Sequence, residues 1–328
     1  MFPAMVNRAA PHLDAPLRIG TRGSELALWQ ANYVRDRLRE AWGAELPVEL
    51  VVITTEGDRI QDRPLNQVGG KGLFVNAIEE QMVAGAIDLA VHSMKDLPGR
   101  LADGLVIACT PPREDPRDAL VVAASIPAER RTLAALPEGA RVGTTSLRRS
   151  ALLRRLHGGL AIHPLRGNVP TRLRKLASGE LDAVILAAAG LRRLGLLPAD
   201  AELLDPEAFC PAAGQGILAL ECRDDDARVR ELLAPLNDAA AATVAAAERA
   251  FLARLDGGCQ VPMACHAVLD GAEVRVRGVI GDPSGRPFFE ASSVGGPSSA
   301  HELGREVAES LLRLGAAEVL ARVRSGAH

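Results

Sequence analysis

The alternation of apolar and polar positions becomes regular at Leu17. Leu17-Arg-Ile-Gly-Thr21 reads as a short strand, and Ser24 stands where a hydroxyl caps the helix predicted over 25–41, whose Leu26, Trp29, Tyr33 and Leu38 recur near helical spacing. A second strand is predicted over 48–54, a loop punctuated by Gly and Pro over 57–72, a helix over 73–83 and a third strand over 87–92. The same grammar returns downstream. Arg141-Val-Gly-Thr144 repeats the shape of Arg18-Ile-Gly-Thr21, Ser146 is placed to cap a helix over 147–156, residues 161–165 read as a strand and 171–177 as a helix. Residues 119–126 and 183–191 have the length and apolar character of core strands. Two α/β units of related topology follow, with mainly parallel sheets covered on both faces. Ligands of such sheets bind beyond the carboxyl ends of strands, which brings residues 21–24 and 144–146 to a shared cleft. From Ala239 the texture changes to an Ala-rich helix, a hairpin turning at Asp270-Gly271 and a last amphipathic helix over 300–314, a smaller α+β domain.

Composition narrows the classes. The chain has 328 residues, 48% hydrophobic and 24% charged, with a net charge of −3, which suits two or three soluble domains. No apolar run approaches the ~18–20 residues of a membrane span. Residues 1–16 lack a continuous apolar segment and read as an extension, not a secretory signal. The five cysteines form no CxxC pair and no metal-ligand spacing, so reduced thiols in a cytoplasmic protein are expected, with no metal.

Charge is unevenly distributed. Between Gly139 and Gly179 there is no Asp or Glu, yet the stretch holds Arg141, Arg148, Arg149, Arg154, Arg155, Arg166, Arg172, Arg174 and Lys175. A solvated face is the bland reading. An anion site is the sharper one, because these cations cluster at strand-to-helix junctions, where free N–H groups and bidentate guanidinium pairing both favour carboxylate or phosphate. Nucleic acid fits poorly, since no Phe, Trp or Tyr occurs between Phe74 and Phe209 to stack on bases. Gly69-Gly-Lys-Gly72 lacks the spacing of a nucleotide-binding loop. A small polycarboxylate fits better. Of the 38 Lys and Arg residues only Lys71, Lys95 and Lys175 are lysine, and two of the three fall in motifs.

Those motifs are specific. His92-Ser-Met-Lys-Asp-Leu-Pro98, Arg113-Glu-Asp-Pro-Arg-Asp118, Gly143-Thr-Thr-Ser-Leu-Arg-Arg149, Leu165-Arg-Gly-Asn168, Ala213-Gly-Gln-Gly216 and Gly257-Gly-Cys-Gln-Val-Pro262 stand in this order. From about Leu17 to about Arg324 the sequence resembles the porphobilinogen deaminase, or hydroxymethylbilane synthase, family of tetrapyrrole biosynthesis. The resemblance implies two periplasmic-binding-protein-like α/β domains plus a smaller C-terminal α+β domain. The expected division is an N-terminal extension over 1–16, domain 1 over 17–115 and 216–236, domain 2 over 116–215, and a C-terminal domain over 237–328. It also implies an enzyme that deaminates porphobilinogen and joins four molecules head to tail on a covalent dipyrromethane, releasing hydroxymethylbilane and ammonia.

Residue by residue, the resemblance places the dipyrromethane thioether on Cys259, which alone would read as a core or loop thiol. It makes Asp96 the catalytic carboxylate, where the bland reading is a turn cap; a carboxylate there stabilises positive charge developing on pyrrole nitrogens and moves protons. Ser93, Lys95, Thr144, Ser146, Arg148, Arg149 and Arg172 are implied to bind the cofactor, and Arg22, Ser24, Arg166 and Arg193 the incoming or growing chain. Arg148 and Arg149 are expected to face the cleft. The partners are small polycarboxylate pyrroles, without nucleic acid or membrane, and the protein is expected to be a monomer. Glu56 departs from the family's usual pattern, and Cys265 stands close enough to Cys259 to be mistaken for the anchor. Two other classes compete. A two-domain anion binder needs neither Cys259 nor Asp96, and a cysteine hydrolase needs a base such as His266 but lacks a recognisable third partner.

Overall fold

The computed structural model describes residues 15–59, 72, 74–257 and 261–325. Cys259, Lys71 and residues 1–14 lie outside the described residues. In the first sheet, β1 (Leu17–Thr21) pairs in parallel with β2 (Val48–Val52) and β3 (Leu89–Ser93), while β4 (Leu105–Cys109) forms the far edge. The chain then crosses to a second sheet made of β5 (Asp118–Val122), β6 (Arg141–Gly143), β7 (Ala161–His163), β8 (Ala183–Ala187) and β9 (Glu202–Leu203). It returns as β10 (Leu218–Arg223), inserted between β3 and β4. The orders β2-β1-β3-β10-β4 and β7-β6-β8-β5-β9 correspond position by position. This is the periplasmic-binding-protein-like α/β arrangement.

The expectation of mainly parallel sheets needs correction. β10 runs antiparallel to both β3 and β4, and β5 antiparallel to both β8 and β9. Each of these strands enters its sheet directly from the other unit, without the crossover helix that a parallel partner requires.

Helices follow local signals closely. α1 (Glu25–Trp42) starts where Ser24 Oγ accepts from the Ala27 amide, a cap worth about 1 kcal/mol. It buries Ala27, Ala31, Val34, Leu38 and Trp42, and Trp42 Nε1 donates to the Leu232 carbonyl at 2.8 Å. α2 (Asn76–Val83) precedes β3; α3 (Leu147–Leu156) begins at Ser146; α4 (Val169–Ala177) is capped by Asn168. The apolar stretch 183–191 is not one strand: β8 stops at Ala187 and α5 (Ala188–Arg193) begins at once. Ala188 and Ala189 favour helix, and apolar content alone does not separate the two states. α6 (Ala227–Leu233) follows β10.

The third unit pairs α7 (Ala239–Arg254) with an antiparallel sheet of β11 (Met263–Asp270), β12 (Glu273–Gly281) and β13 (Phe288–Gly295). α8 (Ala300–Leu311) packs against α7 so closely that a Cβ on Gly304 would lie 1.9 Å from the Ala247 carbonyl oxygen. The predicted last helix ends sooner than expected, giving way to a wide turn over Leu312–Ala316 and then α9 (Ala317–Arg324). Phe251, Val274, Val276, Ile280, Val307 and Leu311 fill this core.

One carboxylate joins this unit to the rest. Glu248 on α7 is fully buried and accepts from Arg113 Nη1 at 2.7 Å and Nη2 at 3.2 Å. It also accepts from the amides of Gly214 and Ala267. Arg113 Nε donates to the Gln215 carbonyl at 2.9 Å, so the first crossover and the return loop share one clamp. Gly216 in that loop has φ +87°, and a Cβ there would lie 2.2 Å from the Glu114 carbonyl oxygen.

Candidate active site

β3 ends at Ser93 and tightens into one 3₁₀ turn, Met94–Asp96. Met94 is buried inward, whereas Lys95 and Asp96 are partly exposed. Asp96 lines a cleft with Arg22, Ser24, Gln30, His92 and Ser93. Arg22 follows β1 and stacks over the Phe74 ring at 4.0 Å, while its Nε lies 3.2 Å from both carboxylate oxygens of Asp58. Burial alone raises the Asp58 carboxyl, but Arg22 and Thr55 outweigh it and the net shift is downward.

The second unit supplies the opposite wall. Gln30, buried on α1, accepts through Oε1 from Ser93 Oγ at 2.9 Å and from Arg193 Nη1 at 3.0 Å; Arg193 Nη2 donates to the Gly216 carbonyl at 2.7 Å. After β6, Thr144 Oγ1 accepts from the Ser146 amide at 3.1 Å, and Ser146 Oγ accepts from the Arg149 amide at 3.4 Å. Arg172 Nε donates to the Gly167 carbonyl at 2.8 Å, and its electrostatic neighbours are Arg149, Asp96 and Arg166. Asp96 thus shares its cleft with Arg22 and Ser24 of the first unit and lies within electrostatic reach of Arg172 of the second. Cys259 lies outside the described residues.

Arg148 and Arg149 depart from expectation. They do not stand open to the cleft: only 5% and 6% exposed, they flank the fully buried Asp118. Arg148 Nη2 lies 2.8 Å from Asp118 Oδ2, and Arg149 Nη2 donates to Oδ1 at 2.6 Å. Arg148 Nη1 also donates to the Cys210 carbonyl, and Arg149 Nη1 to the Ile185 carbonyl. Gln215 Nε2 donates to Asp118 Oδ1 at 3.1 Å. Asp118 and Gln215 stand in motifs visible in the sequence, but nothing local announced that they meet.

The neighbouring carboxylates do not offset the burial of the cations assembled here. Burial lowers the Lys95 pKa to about 8, with Arg149 and Arg148 lowering it further and Asp96 and Asp118 opposing. Burial likewise lowers Arg172 to about 10, helped by Arg149 and Arg166, and lowers Arg193 to about 10. Cations whose charged form is disfavoured in this way are stabilised by incoming anions. Lys95 Nζ already lies 3.4 Å from Gln215 Oε1, a neutral acceptor.

A two-lobed α/β protein whose cleft gathers cations from both lobes near a partly exposed carboxylate is equipped to bind and transform a small polyanion. Residues 17–231 match the family described as porphobilinogen deaminase, dipyromethane cofactor binding domain, and residues 242–313 match the porphobilinogen deaminase C-terminal domain. The chain belongs to the porphobilinogen deaminase family. It is 51% identical over 308 residues to the porphobilinogen deaminase of Syntrophotalea carbinolica, covering 94% of this chain and 96% of that protein. Against the enzyme of Roseiflexus sp. strain RS-1 the identity is 53% over 305 residues, 93% of this chain and 98% of the relative. Among solved structures, the periplasmic aliphatic sulphonate binding protein SsuA from Escherichia coli gives a TM-score of 0.37 at 17% identity, covering 74% of this chain and 70% of that one.

The residues present fit the dipyrromethane of this family. A pair of pyrrole rings carrying two carboxylates each needs several cations near one acid; Lys95 and Arg172 lie within electrostatic reach of Asp96, Arg166 neighbours Arg172, and Arg193 is tied to the cleft through Gln30, in a setting that favours added negative charge.

Proposed function

We propose that this chain deaminates porphobilinogen and joins four molecules head to tail, releasing hydroxymethylbilane and ammonia. The observation that carries this reading is the partly exposed Asp96 at the end of β3, walled by cations from both α/β units. The family's dipyrromethane, held as a thioether on Cys259, supplies the α-free pyrrole on which the chain grows. Lys95, Arg172, Ser93, Thr144 and Ser146 hold its carboxylates, while Arg148 and Arg149, fixed by Asp118, give the cleft a positive floor. Arg22, Ser24, Arg166 and Arg193 receive substrate carboxylates; for Arg22 this means exchanging Asp58 for substrate. Asp96 accepts hydrogen bonds from pyrrole N–H groups, stabilises the charge that develops as ammonia departs, and takes up the proton released on coupling.

The division into domains over 17–115 with 216–236, 116–215 and 237–328 is supported by the separate membership of the three sheets. No described helix is long and apolar enough to cross a membrane. We read the protein as a cytoplasmic monomer, because one chain supplies both walls of the cleft. Cys109, Cys210, Cys222 and Cys265 are free and buried, which suits a reducing compartment.

Intact-mass measurement of the native protein tests the assignment of the anchor. A dipyrromethane adduct is expected on the wild type and absent from Cys259→Ser; an unmodified Cys259 in active enzyme would falsify it. Lys95 gives a second test. Lys95→Arg keeps the charge but replaces a compact ammonium by a planar fork, and about a tenfold loss of turnover is expected. In cofactor-free wild type, carboxylate binding should weaken as pH rises through about 8, where the Lys95 ammonium deprotonates. In Lys95→Arg that decline should vanish, which a titration across this range reads directly.

A further inference from the structure

A second group of ionisable side chains lies behind the catalytic turn. His92, among the residues lining the cleft, is buried, and its Nε2 lies 2.9 Å from Oε2 of Glu221 on the neighbouring strand β10. Glu221 is completely buried. Glu79 on α2 approaches the same carboxylate: burial raises its pKa, and the charge of Glu221 raises it further. Arg249 on α7 is also within electrostatic reach of Glu221, which opposes the lowering caused by burial. Among the described residues, Glu79 Oε1, Glu221 Oε1 and Arg249 Nη1 are buried without a hydrogen-bond partner. A buried polar atom that stays dry is destabilising, so bridging water is the natural partner for all three. Arg249 in turn lines a second cavity, which it shares with Met94 of the catalytic turn and the whole edge strand β4. Ionisable groups thus run from the cleft, at His92, through Glu221 and Glu79 to a separate cavity beyond Arg249.

We propose that His92, Glu221 and Glu79 form a proton exit for the coupling reaction, a proposal that rests on the deaminase reading above. At each addition the bond from the aminomethyl carbon to nitrogen breaks, and the protonated amino group leaves as ammonia with the electron pair. A new carbon–carbon bond forms, and the ring that is extended loses the proton of its free α-carbon, the C–H pair returning to the ring. Asp96 takes that proton and must lose it before the next addition. His92, on the same wall, accepts it and passes another through Nε2 to Glu221. Glu79 can carry the proton there, because burial and the neighbouring Glu221 charge both disfavour its ionised form. Arg249 balances the remaining charge, and water carries the proton into the second cavity, where ammonia or solvent takes it up.

His92→Gln preserves a hydrogen bond to Glu221 but carries no proton. In the holoenzyme it is expected to lower kcat about 100-fold, leaving KM and the melting temperature unchanged. His92→Ala should recover turnover when imidazole is added, a rescue that a purely structural role does not give. Independently of turnover, the infrared spectrum of resting holoenzyme should show the carbonyl stretch of a buried, protonated carboxyl that disappears in Glu79→Gln. A wild-type rate for His92→Gln, folded His92→Ala that imidazole does not restore, or absence of that band overturns the proton exit. Failure of the wild type to release ammonia from porphobilinogen overturns the deaminase reading instead.

Discussion

Asp96→Asn is expected to fold normally and to release ammonia from porphobilinogen on the order of 1,000-fold more slowly than the wild type. The side chain ends a single 3₁₀ turn and is partly exposed to the cleft, so the core does not depend on it. Replacement by the isosteric amide keeps the shape and removes the charge. What is lost is a cleft carboxylate able to oppose the positive charge that forms as the C–N bond breaks. It is also a counter-charge to Lys95 and Arg172, so both should bind added carboxylates somewhat better in the variant. A large fall in kcat, with an unchanged circular dichroism melt and no weakening of substrate binding, is the expected result. Ammonia release at the normal rate would remove Asp96 from the mechanism.

The second large effect concerns stability. Asp118→Asn leaves two buried guanidinium groups without their shared counter-ion, and breaking a buried ion pair in this way costs about 3–5 kcal/mol. Because the same arginines underlie the proposed cofactor site, assembly of the holoenzyme should fail along with stability. The pH dependence has a definite sign. Burial alone raises the Asp118 carboxyl, but Arg148 and Arg149 prevail and hold it well below the usual carboxylate range. A carboxylate depressed in the folded state stabilises the fold above its unfolded pKa of about 3.9, and that contribution is lost as pH falls toward the folded value. Urea denaturation near neutral pH should therefore show the variant strongly destabilised. On acidification the gap should narrow, because the wild type loses what the variant never had. A constant gap between neutral and acid pH would mean that Asp118 does not act as a buried anion.

These two residues mark where the sequence was readable and where it was not. Ser146 and the helix after it were legible to the residue, because a hydroxyl cap and its helix are a local affair. So was the pairing of related motifs at residues 21–24 and 144–146, since repeated strand-turn-helix grammar needs no knowledge of distant partners. Asp96 is legible through a motif that resembles a known family, and its side chain lines the cleft. The part Asp118 plays is not legible, because it depends on an arginine 31 residues further on. The burial of Arg148 and Arg149 is hidden for the same reason: a run of cations does not reveal a buried anion between them. Strand direction was equally illegible, because the direction of β5 and β10 is set by where the chain comes from and not by their own residues.

The way the chain enters those two strands has a mechanical consequence. It passes from the first α/β unit into β5 and back again into β10, so two separate spans of backbone tie the lobes together. A body held at one point swivels in any direction, whereas a body held at two points turns mainly about the line that joins them. The lobes should accordingly open and shut like a door on a pair of pins, with sliding and twisting suppressed. A lengthening chain of carboxylated rings would then gain room through widening of the mouth, while the walls keep their register and Asp96 continues to meet each new ring in the same orientation.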